Sequence, residues 1–216
     1  MTVTVTSPAT HKAFTTLTAI KAELGITAST DDNMLVQMIL EATDYIIGYC
    51  GRTFAREAVT ETFDAFGGSM AMLTITPVIA VSAVTLDGST VSSTSYSIDD
   101  ANAGFLFRET GWTTTHISAS HVENVILSQG RRDWSVSYSA GYIMPGSTAG
   151  QRTLPYDLER ACLDLVKQFY FRRGEDPTVK NQRTGETSET LFEDVGRYGI
   201  SPNVRNTLDR WRRLSI

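Results

Sequence analysis

The residues that could do chemistry are few, and the histidines are the first to consider. His116 and His121 lie close together in a segment rich in serine and threonine. A transition-metal site would need a third ligand that converges on the same point. Two histidines in turns or on the surface account for this spacing with fewer assumptions. We therefore predict no metal site and keep a small metal-dependent hydrolase only as an alternative.

The carboxylates give no stronger indication of catalysis. The pairs Asp31-Asp32 and Asp99-Asp100 have the groups that acid–base or metal chemistry uses. A helix cap explains the first pair, and a turn explains the second. Residues 146–150 superficially resemble a nucleophile elbow, but their central residue is threonine where the elbow has serine. Because no phosphate-binding loop, GxGxxG or HExxH motif occurs either, we predict no catalytic or cofactor-binding residue and no enzyme.

The cysteines and the apolar segments bear on the compartment. Cys50 and Cys162 lie far apart and form no CxxC pair, which favours two buried, reduced thiols over a disulfide. Residues 1–6 have neither the basic region nor the apolar run of a signal peptide. The longest apolar stretch, Met34–Leu40, is far too short to span a bilayer. We expect a protein that is made in the cytoplasm and has no membrane partner.

Charge is distributed unevenly along the 216 residues, although composition is ordinary for a globular chain. The net charge is −5, which argues against tight binding of duplex DNA through many phosphate contacts. Residues 1–151 have 7 basic and 14 acidic side chains, whereas residues 152–216 have 12 basic and 10 acidic ones. A basic C-terminal region of this kind suits an acidic partner surface.

The spacing of apolar residues predicts two helices near the N-terminus. Thr18 and Gly25 predict the two ends of a short first helix. The acidic pair 31–32 precedes a longer helix, in which apolar residues recur at helical spacing to about Tyr49. Gly51 can supply the left-handed residue that ends it.

From about residue 58 to residue 142 the spacing falls towards alternation, which predicts an antiparallel β module. Residues 134–139 alternate apolar residues with serine, the pattern of a half-buried strand. Asp87-Gly88 predicts a hairpin turn after a strand that ends at residue 86. Further strands are predicted over residues 72–75, 96–98, 105–107 and 122–127.

Helical spacing returns at Leu154-Pro155, which predicts the start of a long helix that Gly174 can end. Residues 175–199 are polar and predict a long loop of the kind that is functional or orders on binding. Ser201-Pro202 predicts the start of a last helix. A helix this short is marginal alone, so it must pack either on its own chain or on a partner.

Together these elements predict an α+β fold, a small helical bundle with an inserted antiparallel β module. The predicted parts are residues 1–57, the N-terminal helical part of the bundle; 58–150, the inserted module; 151–174, a long helix that completes the bundle; and 175–216, a polar loop with a C-terminal partner-docking helix.

Four segments occur in an order that resembles tailed-bacteriophage head–tail connector proteins, also called adaptor or head-completion proteins. The first runs from Leu17 through Gly25 and Asp31-Asp32 to a helix that ends in Tyr-Cys-Gly-Arg-Thr-Phe at 49–54. The others are a Pro-Val…Asp-Gly stretch at 77–88, Tyr-x-Ala-Gly-Tyr at 138–142 and Leu-Pro-x-Asp-Leu-x-x-Ala-Cys at 154–162.

This resemblance implies a structural role in the virion neck, after assembly in the host cytoplasm. The chain would form a ring of about twelve copies under the portal protein, with a heterologous interface that closes. The ring would extend the DNA channel, with DNA passing through the lumen without sequence-specific binding. It would also present a surface to a stopper or tail-completion protein. A different neck component, such as a stopper or a terminator, is the alternative within this class.

The resemblance implies that the C-terminal segment docks on the portal, and its last helix suits a partner contact because Trp and Arg are enriched at interface hot spots. Packing of Trp211 on its own domain is the competing interpretation. Truncation at Asn203 is expected to abolish docking and to leave a folded core. The expected portal-interface residues are Val204, Arg205, Leu208, Trp211, Arg212 and Arg213.

Overall fold

The computed structural model describes residues 1–113, 133–173 and 200–213, together with the backbone of 183–184 and 187–188. Within these residues it contains four α-helices and antiparallel sheets, which confirms the predicted α+β class. The chain divides into two units. The β unit comprises Met1–His11 and Thr53–Ile143, and the helical unit comprises Lys12–Arg52 and Met144–Ile216.

The β unit is built on two antiparallel sheets. The larger has the strand order β1-β2-β8-β4-β5, and the smaller has the order β3-β7-β6. The strands are β1 (Thr2–Ser7), β2 (Glu57–Phe63), β3 (Met70–Met72), β4 (Val78–Leu86), β5 (Ser89–Thr90), β6 (Ser97–Asp100), β7 (Phe105–Phe107) and β8 (Trp134–Ala140).

The two central strands, β2 and β8, show why this region forms a sheet. Each alternates buried and half-buried residues along its whole length, and their register runs from Glu57 opposite Ala140 to Phe63 opposite Trp134. Trp112 joins the buried face, and its ring meets the Trp134 ring edge-on at 4.9 Å between centroids. The alternation therefore places one aromatic-rich face of the sheet in the core.

The predicted turn at 87–88 connects β4 to β5. Asp87 and Gly88 both have positive φ angles, 49° and 79°, which the tight hairpin turn between twisted strands requires. Gly141 is required for a different reason, since a Cβ there would lie 2.4 Å from the carbonyl oxygen of Ala55. At this close approach of the two backbones, Ala55 and Tyr142 form an isolated β-bridge.

The helical unit contains α1 (Leu17–Leu24), α2 (Asp32–Cys50), α3 (Tyr156–Arg172) and α4 (Pro202–Asp209). Gly25 and Gly51 adopt left-handed conformations at the ends of α1 and α2, as predicted. The cap of α1 is Thr16 rather than Thr18, because the Thr16 hydroxyl accepts a hydrogen bond from the N–H of Ala19 at 3.2 Å. A short strand pair, β9 (Arg183–Thr184) with β10 (Thr187–Ser188), falls within the predicted loop.

The N-terminal segment differs from the prediction that residues 1–57 belong to the helical part. Residues Thr2–Ser7 form β1, which pairs with β2 from Thr2 opposite Thr62 onward. Alternating threonine and valine are suited to a strand, because β-branched residues favour extended backbone. A strand of six residues still needs a neighbouring strand, and the residues it pairs with lie 51 to 60 positions away in the sequence.

Other predicted elements are close to the observed ones. The strand over 105–107 is confirmed. The strand predicted over 72–75 is displaced by two to three residues, and the one predicted over 96–98 by one to two. The strand predicted over 122–127 lies outside the described residues. Cys50 and Cys162 are both buried free thiols, as predicted, and burial raises their pKa values to about 11 and about 12. In the described part of the chain, no helix has the length and apolarity needed to cross a membrane.

Candidate interaction surface

The last helix, α4, is fixed at its start by two residues that the sequence singled out. The Ser201 hydroxyl accepts a hydrogen bond from the N–H of Val204 at 3.4 Å, and Pro202 occupies the first turn. Serine at the cap and proline just inside it are the preferred start of a helix, because the free N–H groups there need a partner or must be absent.

Two of the six expected portal contacts lie in the protein's own core. Val204 is 2% exposed and Leu208 is fully buried, and α4 contacts both α2 and α3. The two side chains are four residues apart and therefore lie on the same face of α4. Because that face is covered by the helical unit, Val204 and Leu208 support the helix and do not offer their side chains to a partner.

The end of α4 is tied to the end of α2 through Tyr49. The Tyr49 hydroxyl donates a hydrogen bond to Asp209 Oδ1 at 2.6 Å. This hydrogen bond, together with partial burial and the negative charge of Asp209, raises the pKa of Tyr49. The guanidinium of Arg212 lies 5.8 Å from the centre of the same ring, which adds a cation–π contact.

Trp211 is half-buried and is bonded to its own chain. Its indole N–H donates a hydrogen bond to Asp157 Oδ2 at 2.9 Å, and the Arg210 guanidinium lies 3.5 Å from the same oxygen. Asp157 stands in the first turn of α3, where a carboxylate also complements the helix dipole. The structure thus favours packing of Trp211 on its own unit, the competing interpretation of this residue.

The chain after α4 also contacts the backbone at the end of α2. The N–H of Arg213 donates to the carbonyl oxygen of Cys50 at 2.8 Å, and the Cys50 thiol lies 3.7 Å from the carbonyl oxygen of Leu208. The last carbonyl groups of a helix have no hydrogen-bond donor within the helix. The Arg213 N–H supplies a donor for one of them. These contacts fix the direction of residues 210–213.

Four arginines of this segment are exposed, and we call them the arginine surface: Arg205, Arg210, Arg212 and Arg213. The side chain of Arg210 already faces Asp157, and Arg212 lies over Tyr49. Because contacts with α2 and α3 fix the backbone of this segment, the positions of these four cations are restricted. An anchored cationic surface recognises an acidic surface with less loss of conformational entropy than a free tail.

The other candidate residues do not form a site with this segment. His116 and His121 lie outside the described residues. Asp32 forms an ion pair with Lys21 at 2.7 Å, and the Asp100 carboxylate accepts hydrogen bonds from the N–H groups of Asn102 and Ala103, as expected of a turn. Among the residues that the structure describes, no three histidine, cysteine or acidic side chains are grouped to hold a metal ion.

Sequence reasoning missed the residues that hold the C-terminal segment. Tyr49 and Asp157 bond to Asp209 and Trp211, which lie far away in the sequence. Both residues fall inside the motifs that carry the resemblance, at 49–54 and 154–162. The occurrence of Tyr49 and Asp157 inside these motifs was the only sequence signal for them, and it did not indicate which residues they would contact.

A comparison with protein families identifies the class. The model of the head completion protein family matches residues 13–214, nearly the whole chain. The chain therefore belongs to the head completion protein family, which confirms the resemblance drawn from the motifs. It is a structural protein of the head–tail junction and not an enzyme.

Solved structures show the same fold. The chain is similar to a protein in the neck of an empty gene transfer agent particle computed with C6 symmetry, with 16% identity and a TM-score of 0.59. A chain in the virion of the native particle has 18% identity and a TM-score of 0.59. A chain in the native neck computed with C12 symmetry has 16% identity and a TM-score of 0.57. Each match covers 100% of this chain and 97% of the other. A comparison with curated proteins found no match.

Proposed function

We propose that this protein forms a ring of about twelve copies beneath the portal in a virion neck, and that the ring extends the DNA channel. Family membership supports the neck role. Two of the structures with the same fold are necks computed with C6 and C12 symmetry, which is compatible with a ring. A stopper or tail-completion protein would bind the opposite side of the ring.

The portal contact in this proposal is carried by the arginine surface. The observation that supports it is the anchoring of an exposed cationic segment by Tyr49, Asp157 and Cys50. Arg205, Arg212 and Arg213 are the residues proposed to meet acidic groups of the portal. Trp211 contributes its exposed part, while Val204 and Leu208 hold the helix in place.

The net charge of the chain is compatible with a DNA conduit. A net charge of −5 gives little attraction to phosphates beyond local contacts, so DNA can slide through the lumen. In this proposal DNA is cargo that passes the ring and is not a sequence-specific ligand. The ring itself supplies no covalent chemistry.

A double charge reversal tests the portal contact. We expect Arg205→Glu with Arg212→Glu to lower the affinity for a cognate portal ring at least tenfold, measured by co-sedimentation at low and physiological salt. Both side chains are exposed, so the fold should be retained. The matched control is Arg56→Glu with Arg173→Glu, which changes the net charge equally at two exposed arginines elsewhere.

Equal loss of binding in the two double variants would contradict the placement of the contact, because only net charge would then matter. Binding to a tail-completion protein but not to the portal would instead indicate a stopper or terminator. Truncation at Asn203 is a poorer test than the sequence suggests. It removes two buried side chains, Val204 and Leu208, and would expose the apolar faces of α2 and α3.

A further inference from the structure

The five-stranded sheet of the β unit has an uncharged strand on one outer side, β1. Its residues are Thr-Val-Thr-Val-Thr-Ser, and β2 pairs with one side of it. In the described part of the chain no strand pairs with the other side. The side chain of Val5 is 43% exposed, and that of Thr4 is exposed as well. The outer backbone groups of β1 are thus placed to accept another strand.

The opposite outer side of the same sheet is formed mostly by β4. β5 pairs only with Thr85 and Leu86, and the Val84 carbonyl accepts the N–H of Val91. Along Ile79–Ala83 no described strand lies on that side. This stretch is Ile-Ala-Val-Ser-Ala, with neither charge nor proline, and Ile79 is 39% exposed.

Natural proteins usually protect such edges, because a row of free N–H and C=O groups pairs readily with other chains. Charged residues, proline and bulges are the common devices. One outer strand of the smaller sheet follows this rule, since β6 ends in Asp99-Asp100, whereas the other, the three-residue β3, has no charge and is only short. β1 has an irregularity between Val5 and Ser7 but no charge. The bulges of β4, between Val78 and Ala80 and between Val81 and Ala83, likewise add no charge to that edge.

The order of the strands determines how two copies could join. Each strand is antiparallel to its neighbour from β1 through β2 and β8 to β4, so β1 and β4 run in opposite directions. A second copy added beyond β4 in the same orientation would therefore place its β1 antiparallel to β4. The added pair would have the same pattern as the rest of the sheet, and no strand would need to reverse.

We propose that β1 of one copy pairs antiparallel with Ile79–Ala83 of the next copy, so that the sheet continues from subunit to subunit. Because the two edges are different surfaces, the contact is heterologous and can repeat around a closed ring. This inference rests on the proposed ring. It adds the surface through which neighbouring copies bind each other.

Two lysine substitutions at exposed edge positions test the proposal. Thr4→Lys places a charge on the β1 edge, and Ala80→Lys places one on the β4 edge. We expect each single variant to form no ring, whether the portal ring is absent or present. Light scattering and negative-stain imaging measure this. Ser97→Lys, on the exposed edge strand β6 of the smaller sheet, is the matched control and should form rings as the wild type does.

Mixing the two variants gives the decisive readout. Thr4→Lys copies retain an intact β4 edge, and Ala80→Lys copies retain an intact β1 edge, so an equimolar mixture should form a heterodimer that cannot grow further. Structural damage alone would not produce that dimer. If either lysine variant fails to fold by circular dichroism, Val5→Glu and Ile79→Glu replace the pair at two other exposed positions.

The results separate this inference from the proposed function. Rings that persist in both lysine variants, or a mixture that stays monomeric, would overturn the strand pairing and leave the ring proposal intact. A wild-type chain that stays monomeric with and without the portal would overturn both.

Discussion

The β unit and the helical unit leave different groups at their surfaces. The β unit buries an aromatic cluster that includes Phe63, Trp112 and Trp134, and it leaves two strand edges uncharged and uncovered by any described strand. In the helical unit, a backbone N–H donates a hydrogen bond to the last carbonyl of α2, and the groups left at the surface are arginine side chains. Backbone edges suit pairing with an identical copy, whereas an anchored cationic surface suits a partner of opposite charge.

The two units also treat acidic groups differently. Glu61 is fully buried in the β unit and accepts hydrogen bonds from the N–H and hydroxyl of Thr74, at 2.9 and 2.6 Å, and from the Tyr138 hydroxyl at 2.8 Å. In the helical unit Glu23 remains partly exposed and pairs with Lys167 at 2.8 Å. The buried carboxylate depends on every donor, while the surface pair contributes little to stability.

The largest expected effect is at the centre of the β unit. We expect Trp134→Ala to lower the free energy of unfolding by about 3–5 kcal/mol, because a fully buried indole leaves a large cavity. Chemical denaturation followed by circular dichroism measures the change. Ser135→Ala, a small change at the half-buried neighbouring position, serves as the control. A loss below about 1 kcal/mol would show that Trp134 is not a central part of the core.

The corresponding change in the helical unit is Leu208→Ala. We expect a loss of about 2–5 kcal/mol, since Leu208 is fully buried where α4 packs on α2 and α3. Asn206→Ala, on the exposed side of the same helix, should change stability by no more than about 0.5 kcal/mol. Equal effects of the two substitutions would contradict the packing of α4 on its own unit.

A smaller effect is expected from the buried carboxylate. Tyr138→Phe removes one donor from Glu61 with little change of shape, and we expect it to cost about 1–3 kcal/mol. Tyr156→Phe is the control, because its side chain is 78% exposed. If thermal unfolding is unchanged by Tyr138→Phe, the network around Glu61 is not a source of stability.

The smallest effect is a pH dependence at the base of the arginine surface. The bond to Asp209 raises the pKa of Tyr49 above the ordinary tyrosine value of about 10. The protonated hydroxyl thus stabilises the folded state below that ordinary value, and this contribution is lost as pH rises through the folded-state pKa. We expect Tyr49→Phe to flatten the fall in stability above pH ~10, relative to wild type. Tyr45→Phe, a change to the neighbouring stacked ring, should leave the profile unaltered.

Local signals explain which elements were predictable. Gly25 and Gly51 end their helices because a left-handed residue is needed there, and that requirement is contained in a few neighbouring residues. The apolar spacing of α3 and the alternation of β8 are equally local. The cap of α1 was missed by two positions, because Thr16 and Thr18 are equally suitable by type and only the backbone direction distinguishes them.

The C-terminal helix was predictable from the sequence, but its packing was not. The sequence indicated a basic C-terminal helix, but it assigned Val204 and Leu208 to a partner when they lie in the core. It also gave no indication that Tyr49 meets Asp209 or that Asp157 meets Trp211. An amphipathic helix has the same pattern whether its apolar face covers its own unit or a different protein.

By itself, the sequence determined the α+β class, the glycine ends of α1 and α2, the central strand β8 and the family, because periodicity, capping residues and ordered motifs are properties of short segments. Only the tertiary structure decided that residues 2–7 form an edge strand and that α4 packs on α2 and α3. Both outcomes depend on contacts between residues far apart in the chain. Such contacts are selected by burial and hydrogen bonding across the whole unit, which no local pattern contains.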